Sequence, residues 1–133
     1  MPLSHLPALR ILSTAFATIG LGFGINGILN PRGAFKVFEF PLPSSTADQS
    51  VVDSLMQIYG VRDIFMALAV YVTAWYNHRQ SLGWMMIATA LVAFIDGVVV
   101  KAQIGRGEWN HWGYAHVLAV IGSLVLGVAD KKR

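Results

Sequence analysis

The chain has 133 residues, of which 55% are hydrophobic and 13% are charged, whereas an average soluble domain is roughly 25% charged. This composition argues against a water-soluble surface and is typical of a chain whose solvent is mostly lipid. The formal charge is +3, but no stripe of lysine and arginine accompanies it, so we expect no nucleic-acid partner. The terminal Lys131, Lys132 and Arg133 suit contact with anionic lipid headgroups instead.

Four apolar stretches, at about residues 8–29, 51–75, 82–101 and 112–129, are long enough to cross a bilayer. The sequence therefore predicts an all-α integral membrane protein, with residues 1–133 forming one domain of four transmembrane helices in an antiparallel bundle. Tryptophan and tyrosine cluster near the predicted helix ends, where they favour the headgroup layer. The lack of cysteine excludes disulfides, thiolate metal sites and a cysteine nucleophile.

The first stretch is too long for the core of a signal peptide, so we expect a retained helix. Residues 22–27 within it match the dinucleotide-binding fingerprint, but no strand precedes them and the motif lacks its context. Gly20 and Gly24 instead form a small-xxx-small face that allows close helix contact.

The three connections differ in character. Residues 30–50 are rich in proline and phenylalanine, so part of this connection is expected to lie in the membrane interface. Ser50 and Asp53 are interpreted as the cap of the second helix. Residues 76–81 are so few that helices two and three must form a hairpin, and residues 103–110 form a short, glycine-rich third connection.

Five lysine and arginine residues are predicted on the side of the termini and four on the other side, which favours a cytosolic location of both termini. On the side of the termini are Arg10, Arg79, Lys131, Lys132 and Arg133, and on the other side are Arg32, Lys36, Lys101 and Arg106.

Three charged residues, Arg62, Asp63 and Asp96, fall inside apolar stretches, where a charge costs about 2.5–3.5 kcal/mol on insertion scales. Counted from the hairpin, Asp63 and Asp96 lie roughly 18 and 22 Å into their helices, at similar depth. Tyr59, Arg62 and Asp63 share one helix face, so Arg62 could bridge both acids. A purely structural charge network that fixes helix register is the alternative interpretation.

Asn26 and His116 bring polar groups from the first and fourth helices to the same half of the bundle. Together with Tyr59 they are candidate substrate-binding residues of a pocket that opens toward the first and third connections. His78 and His111 are interpreted as interfacial. We expect no metal and no cofactor, since His116 and two distant carboxylates match no known ligand spacing.

Two carboxylates joined by an arginine can supply both an acid and a base. Asp63, Asp96 and Arg62 are therefore the candidate catalytic residues, and this set suits proton-coupled opening of a strained ring. Tyr59 and Asn26 could position a water molecule within reach of the base.

The chain resembles a family of small fungal membrane proteins catalogued largely as a domain of unknown function. The resemblance rests on the four-span layout, on the segment Tyr-Gly-Val-Arg-Asp at 59–63 and on the Asp96-Gly97 pair. Some members of this family accompany secondary-metabolite gene clusters. The resemblance covers nearly the whole chain and implies tailoring of a lipophilic metabolite, by epoxide hydrolysis or epoxide-opening cyclisation. We expect the endoplasmic reticulum membrane as the location.

The same side chains are similar in chemistry to the Asp-Arg-Asp triad, with Tyr and Asn, of limonene-type epoxide hydrolases. Those enzymes are soluble α+β proteins, so this likeness concerns chemistry and not fold.

Other functions fit the same residues. The pocket could isomerise a double bond or perform another proton-shuttling cyclisation, or the chain could be a non-catalytic membrane adaptor that scaffolds other enzymes. The expected partners are a lipophilic small molecule and membrane lipid, and a homo-oligomer is compatible with the sequence. Transport ranks last, because the chain shows no inverted repeat or broken helices.

Overall fold

The computed structural model describes residues 2–130, and the regular structure within them is helical. The helices are α1 (Pro7–Leu29), α2 (Pro31–Phe35), α3 (Thr46–Trp75), α4 (Arg79–Ile104) and α5 (Trp109–Leu126). Short 3-10 turns occur at Leu3–His5 and Lys36–Phe38. The cations Lys131, Lys132 and Arg133, predicted to contact lipid, lie outside the described residues.

Three of the described helices, α1, α3 and α4, are long and apolar enough to cross a membrane. Many of their large apolar side chains point outward, including Ile11, Leu55 and Phe65, as expected for a surface that faces lipid. Helix α5 has 18 residues, or about 27 Å of length, and its first turn carries the polar Asn110 and His111. Three of the four predicted spans are therefore supported by the length and hydropathy of their helices. The fourth predicted span corresponds to α5, which forms a helix but does not meet the same combined criteria of length and hydropathy.

Helix α3 begins earlier than predicted. Its cap is Ser45, whose Oγ accepts a hydrogen bond from the amide of Asp48 at 3.5 Å. The predicted Ser50 and Asp53 cap is wrong, because both residues lie inside α3. The Asp53 carboxylate instead forms an ion pair with Arg32 of α2 at 3.0 Å.

Helix α4 also begins earlier than predicted, and it starts directly after a tight turn. The amide of Ser81 donates a hydrogen bond to Nδ1 of His78 at 3.3 Å, which makes His78 the cap of this helix. The connection between α3 and α4 thus shortens to residues 76–78.

The long helices pack in two close pairs, α1 on α3 and α4 on α5. Glycines allow the close approach: a Cβ added to Gly60 would lie 2.5 Å from the carbonyl oxygen of Gly24, and one added to Gly122 would lie 2.9 Å from that of Gly83. Gly24 thus belongs to a helix contact, as predicted. Gly20 does not face α3, because its nearest neighbour is the Tyr114 hydroxyl of α5.

The two pairs join through a shared core that includes Ala67, Val70, Met86 and Leu118. At one end of the molecule the amide of Ser4 donates a hydrogen bond to Asp130 at 3.0 Å, and the Ser4 hydroxyl donates another at 2.5 Å. These hydrogen bonds hold the pKa of Asp130 below its ordinary value. A cavity lies between the two pairs and is lined by residues of all four long helices.

Candidate active site

Arg62 is the centre of the site. It lies on α3 one turn after Tyr59 and directly before Asp63, so the three side chains share a helix face. Its Nη2 lies 3.2 Å from Oδ1 of Asp63 and 3.0 Å from Oδ2 of Asp96 on α4. The arginine bridge that the sequence predicted between the two acids is therefore present.

The two carboxylates are bound differently. Asp96 accepts hydrogen bonds from Nη1 of Arg62 at 3.3 Å, from Nη2 at 3.0 Å and from the Tyr59 hydroxyl, so both its oxygens are used. Asp63 uses only Oδ1, which accepts from Nε and Nη2 of Arg62 at 3.3 and 3.2 Å. No hydrogen bond from the described residues reaches its Oδ2, so Asp63 has an oxygen available for a ligand.

The aromatic ring of Tyr59 also packs against the guanidinium of Arg62. The central carbon of the guanidinium lies 3.5 Å from the ring centroid of Tyr59, a cation–π distance. The Asp63 and Asp96 side chains are each 15% exposed. If both carboxylates are ionised, this mostly shielded trio carries one negative charge in excess.

The trio lies in the wall of a cavity of about 300 Å³ between the two helix pairs. Apolar side chains form most of the lining, among them Phe23, Met56, Met66, Val70, Met86, Val92 and Leu118. The polar lining residues are Asn26, Tyr59, Arg62, Asp63, Thr89, Asp96, Asn110, His111 and Tyr114. An apolar cavity with a few grouped polar side chains is typical of a small-molecule site.

Asn26 lines this cavity from α1, as predicted. His116 does not line it: the side chain is exposed, its ring stacks 6.2 Å from that of Trp109, and its Nδ1 lies 2.5 Å from the carbonyl oxygen of Trp112. The histidine of α5 that lines the cavity is His111. The two histidines are five positions apart in the sequence, which places them about 140° apart around the helix.

His111 was predicted to be interfacial, and its depth in the membrane stays a prediction. The side chain packs into the protein and is 8% exposed. Its Nε2 is buried without a hydrogen-bond partner among the described residues. The ring packs on Phe38, with 5.0 Å between centroids. The sequence did contain a signal, since His111, Ala115, Leu118, Gly122 and Val125 follow the spacing of one buried helix face.

The first connection covers the end of the cavity that the sequence predicted to be open. Phe38 packs edge-on against Tyr59, with 5.1 Å between the ring centroids. The side-chain nitrogen of Asn110 donates a hydrogen bond to the carbonyl oxygen of Val37 at 3.2 Å. Within residues 2–130, no three metal-ligating side chains lie close enough together to hold a metal ion.

Comparison with known proteins identifies the family. No curated protein and no solved structure matches the sequence. The model of a domain of unknown function, DUF4267, matches residues 17–125, a range that includes Arg62, Asp63 and Asp96. Membership of a domain-of-unknown-function family was predicted, whereas the fungal source and the link to metabolite clusters stay predictions. The match covers most of the chain, and the protein therefore belongs to the DUF4267 family.

Proposed function

We propose that this protein is a membrane-embedded enzyme that opens the epoxide of a lipophilic substrate by acid/base catalysis. The observation that carries the proposal is the bridge from Asp63 through Arg62 to Asp96 in the wall of a largely apolar cavity. A charge network that only fixes helix register needs no adjoining cavity. The cavity therefore favours a catalyst over a non-catalytic adaptor.

Four membrane spans in an antiparallel bundle are part of this proposal. Contacts between α4 and α5 support it, since Gly97 near the end of α4 lies against Trp112 near the start of α5, while Gly83 lies against Leu126. For α1 and α3, the hydroxyls of Thr18 and Tyr71 lie 2.6 Å apart. Antiparallel neighbours make contacts of this kind, in which residues near the start of one helix lie against residues near the end of the other.

The position of α1 supports substrate entry from the bilayer. Ile19 and Phe23 line the cavity and are also 48% and 50% exposed on the outer surface. A hydrophobic molecule dissolved in lipid would meet these side chains first. We propose a lipophilic secondary metabolite as the substrate and the endoplasmic reticulum as the membrane.

The unequal bonding of the two carboxylates suggests their roles. We assign the role of base to Asp96, whose carboxylate is held in the cavity wall by three hydrogen bonds. Asp63, whose Oδ2 accepts no hydrogen bond from the residues that the structure describes, is the acid when it carries a proton. Arg62 then neutralises the single charge that remains and holds both groups in place.

The proposed reaction is hydrolysis of the epoxide to a diol. A water molecule attacks one epoxide carbon and gives a proton to Asp96, while the bond between that carbon and the epoxide oxygen breaks. Asp63 protonates the oxygen released, which yields a diol. Transfer of the proton from Asp96 back to Asp63 restores the starting state. Tyr59 and Asn26 line the cavity where they can orient the water.

The same residues would serve cyclisation if a hydroxyl of the substrate replaced the water. Double-bond isomerisation would need only the proton transfers. These reactions differ in one measurable respect, because only hydrolysis takes an oxygen atom from the solvent.

The test is mass spectrometry of the products formed in oxygen-18 water by membranes that contain the protein, supplied with a panel of lipophilic epoxides. The variants are Asp63→Asn and, as a matched control, Asp53→Asn, whose carboxylate pairs with Arg32 outside the cavity. We expect labelled diol from the wild type and the control, and at least about 100-fold less from Asp63→Asn.

Unlabelled rearranged product would redirect the proposal to cyclisation or isomerisation. Full turnover by Asp63→Asn would contradict the proposed mechanism.

A further inference from the structure

His111 is a buried polar side chain that the proposed acid/base mechanism does not use. It lines the same cavity as the Asp63–Arg62–Asp96 bridge, and its Nε2 has no partner among the residues that the structure describes. A buried nitrogen of this kind loses its hydrogen bonds to water on folding without recovering them. A ligand that supplies the missing hydrogen bond would therefore be favoured at this position.

Phe38 packs between His111 and the acid/base cluster. Its ring packs on His111 at 5.0 Å and on Tyr59 at 5.1 Å, and the Tyr59 hydroxyl donates to Asp96. The imidazole and the acid/base cluster thus lie at the same end of the cavity, separated by about one aromatic ring. One small molecule can reach both.

The charge of the cluster restricts the group that His111 binds. In the proposed starting state Asp63 is protonated and Asp96 already neutralises Arg62, so a carboxylate on the substrate would find no free cation in the cluster, which is unfavourable in a shielded site. A hydroxyl or carbonyl oxygen is neutral, and an imidazole can donate a hydrogen bond to either.

We propose that His111 is a specificity-determining residue that binds a neutral oxygen on the substrate. The substrate class is then a lipophilic epoxide with a hydroxyl or carbonyl group a few bonds from the epoxide ring. This inference rests on the proposed function for the epoxide, whereas the oxygen contact at His111 can be tested by binding alone.

The binding test uses nuclear magnetic resonance of the histidine rings in the full-length protein, labelled at histidine and held in lipid nanodiscs. Farnesol is the probe, because it has a hydroxyl on an apolar chain and no epoxide. We expect farnesol to shift the ring signals of His111 and to leave those of the exposed His116 in place. Unchanged His111 signals at saturating farnesol would overturn the proposal.

The kinetic test compares two substrates: farnesol epoxidised at its middle double bond, and the same epoxide without the hydroxyl. The wild type should prefer the hydroxylated epoxide by about tenfold in kcat/KM, as for one hydrogen bond in a shielded site. The preference should vanish in His111→Phe, which keeps an aromatic ring against Phe38, and should persist in His111→Gln and His116→Phe.

A preference that survives in His111→Phe would overturn the proposal. If neither epoxide is converted while farnesol still shifts the His111 signals, the epoxide chemistry fails and the oxygen-binding site stands.

Discussion

Asp63 and Asp96 are the same residue type in two different environments. Asp96 receives three hydrogen bonds through both oxygens, and Asp63 has one oxygen that accepts none from residues 2–130. Arg62 touches both, so its position fixes the distance between the proposed acid and the proposed base. Hydrogen bonding by the neighbours, rather than residue identity, distinguishes the two roles.

Tyr59→Phe tests the contribution of one of those neighbours. The change removes the hydroxyl donor to Asp96 but keeps the ring against the Arg62 guanidinium, so the fold should be retained. A hydrogen bond to a charged group is worth about 1.5–3 kcal/mol, and we expect turnover of a lipophilic epoxide to fall about 10- to 100-fold. Turnover equal to the wild type would show that the hydroxyl is not needed.

The ion-paired cluster of Arg62, Asp63 and Asp96 could be predicted from the sequence because charges inside apolar stretches are rare and helix geometry relates depth to residue number. The sequence could not show in the same way which of the two histidines, His111 or His116, lines the cavity. The answer depends on the rotation of α5 about its axis, which is set by packing against α4 and by the position of Phe38.

At the scale of the elements, glycine contacts determine how closely α1 approaches α3. Gly60→Ala places a methyl group 2.5 Å from the carbonyl oxygen of Gly24, so we expect the free energy of unfolding to fall by about 1–3 kcal/mol. The measurement is thermal unfolding in detergent.

Gly22→Ala is the matched control, because a Cβ at Gly22 meets nothing within 4 Å. It should leave stability unchanged or raise it by up to about 1 kcal/mol, since alanine is the better helix former. Equal stability of the two variants would contradict the close contact between α1 and α3.

The four long helices were predictable at this scale, whereas their first residues were less so. Ser50 and Asp53 looked like a cap, but the chain turns into α3 at Ser45, soon after Pro43. Asp53 then lies on the helix surface where Arg32 of α2 can reach it. That contact depends on a short helix that the sequence pattern did not reveal.

At the scale of the whole molecule, the account requires α5 to cross the membrane with the other three long helices. The absence of cysteine allows a direct test by labelling of single cysteines with a membrane-impermeant reagent. We expect Gln80→Cys and Val128→Cys to be labelled from one side, and Ser44→Cys and Arg106→Cys from the other.

Labelling of Val128→Cys from the same side as Arg106→Cys would mean that α5 does not span. The hydropathy of α1, α3 and α4 made three spans predictable. Polar side chains at the start of α5 weaken the same signal there, and some of them, such as His111, line the cavity.

The most direct test of the central claim is the turnover of one lipophilic epoxide by Asp63→Asn and Asp96→Asn in parallel, at equal amounts of folded protein in the membrane. Asp53→Asn serves as the control because its ion pair lies outside the cavity. The account predicts a loss of at least about 100-fold in both cavity variants and none in the control. Wild-type turnover in either cavity variant would contradict it.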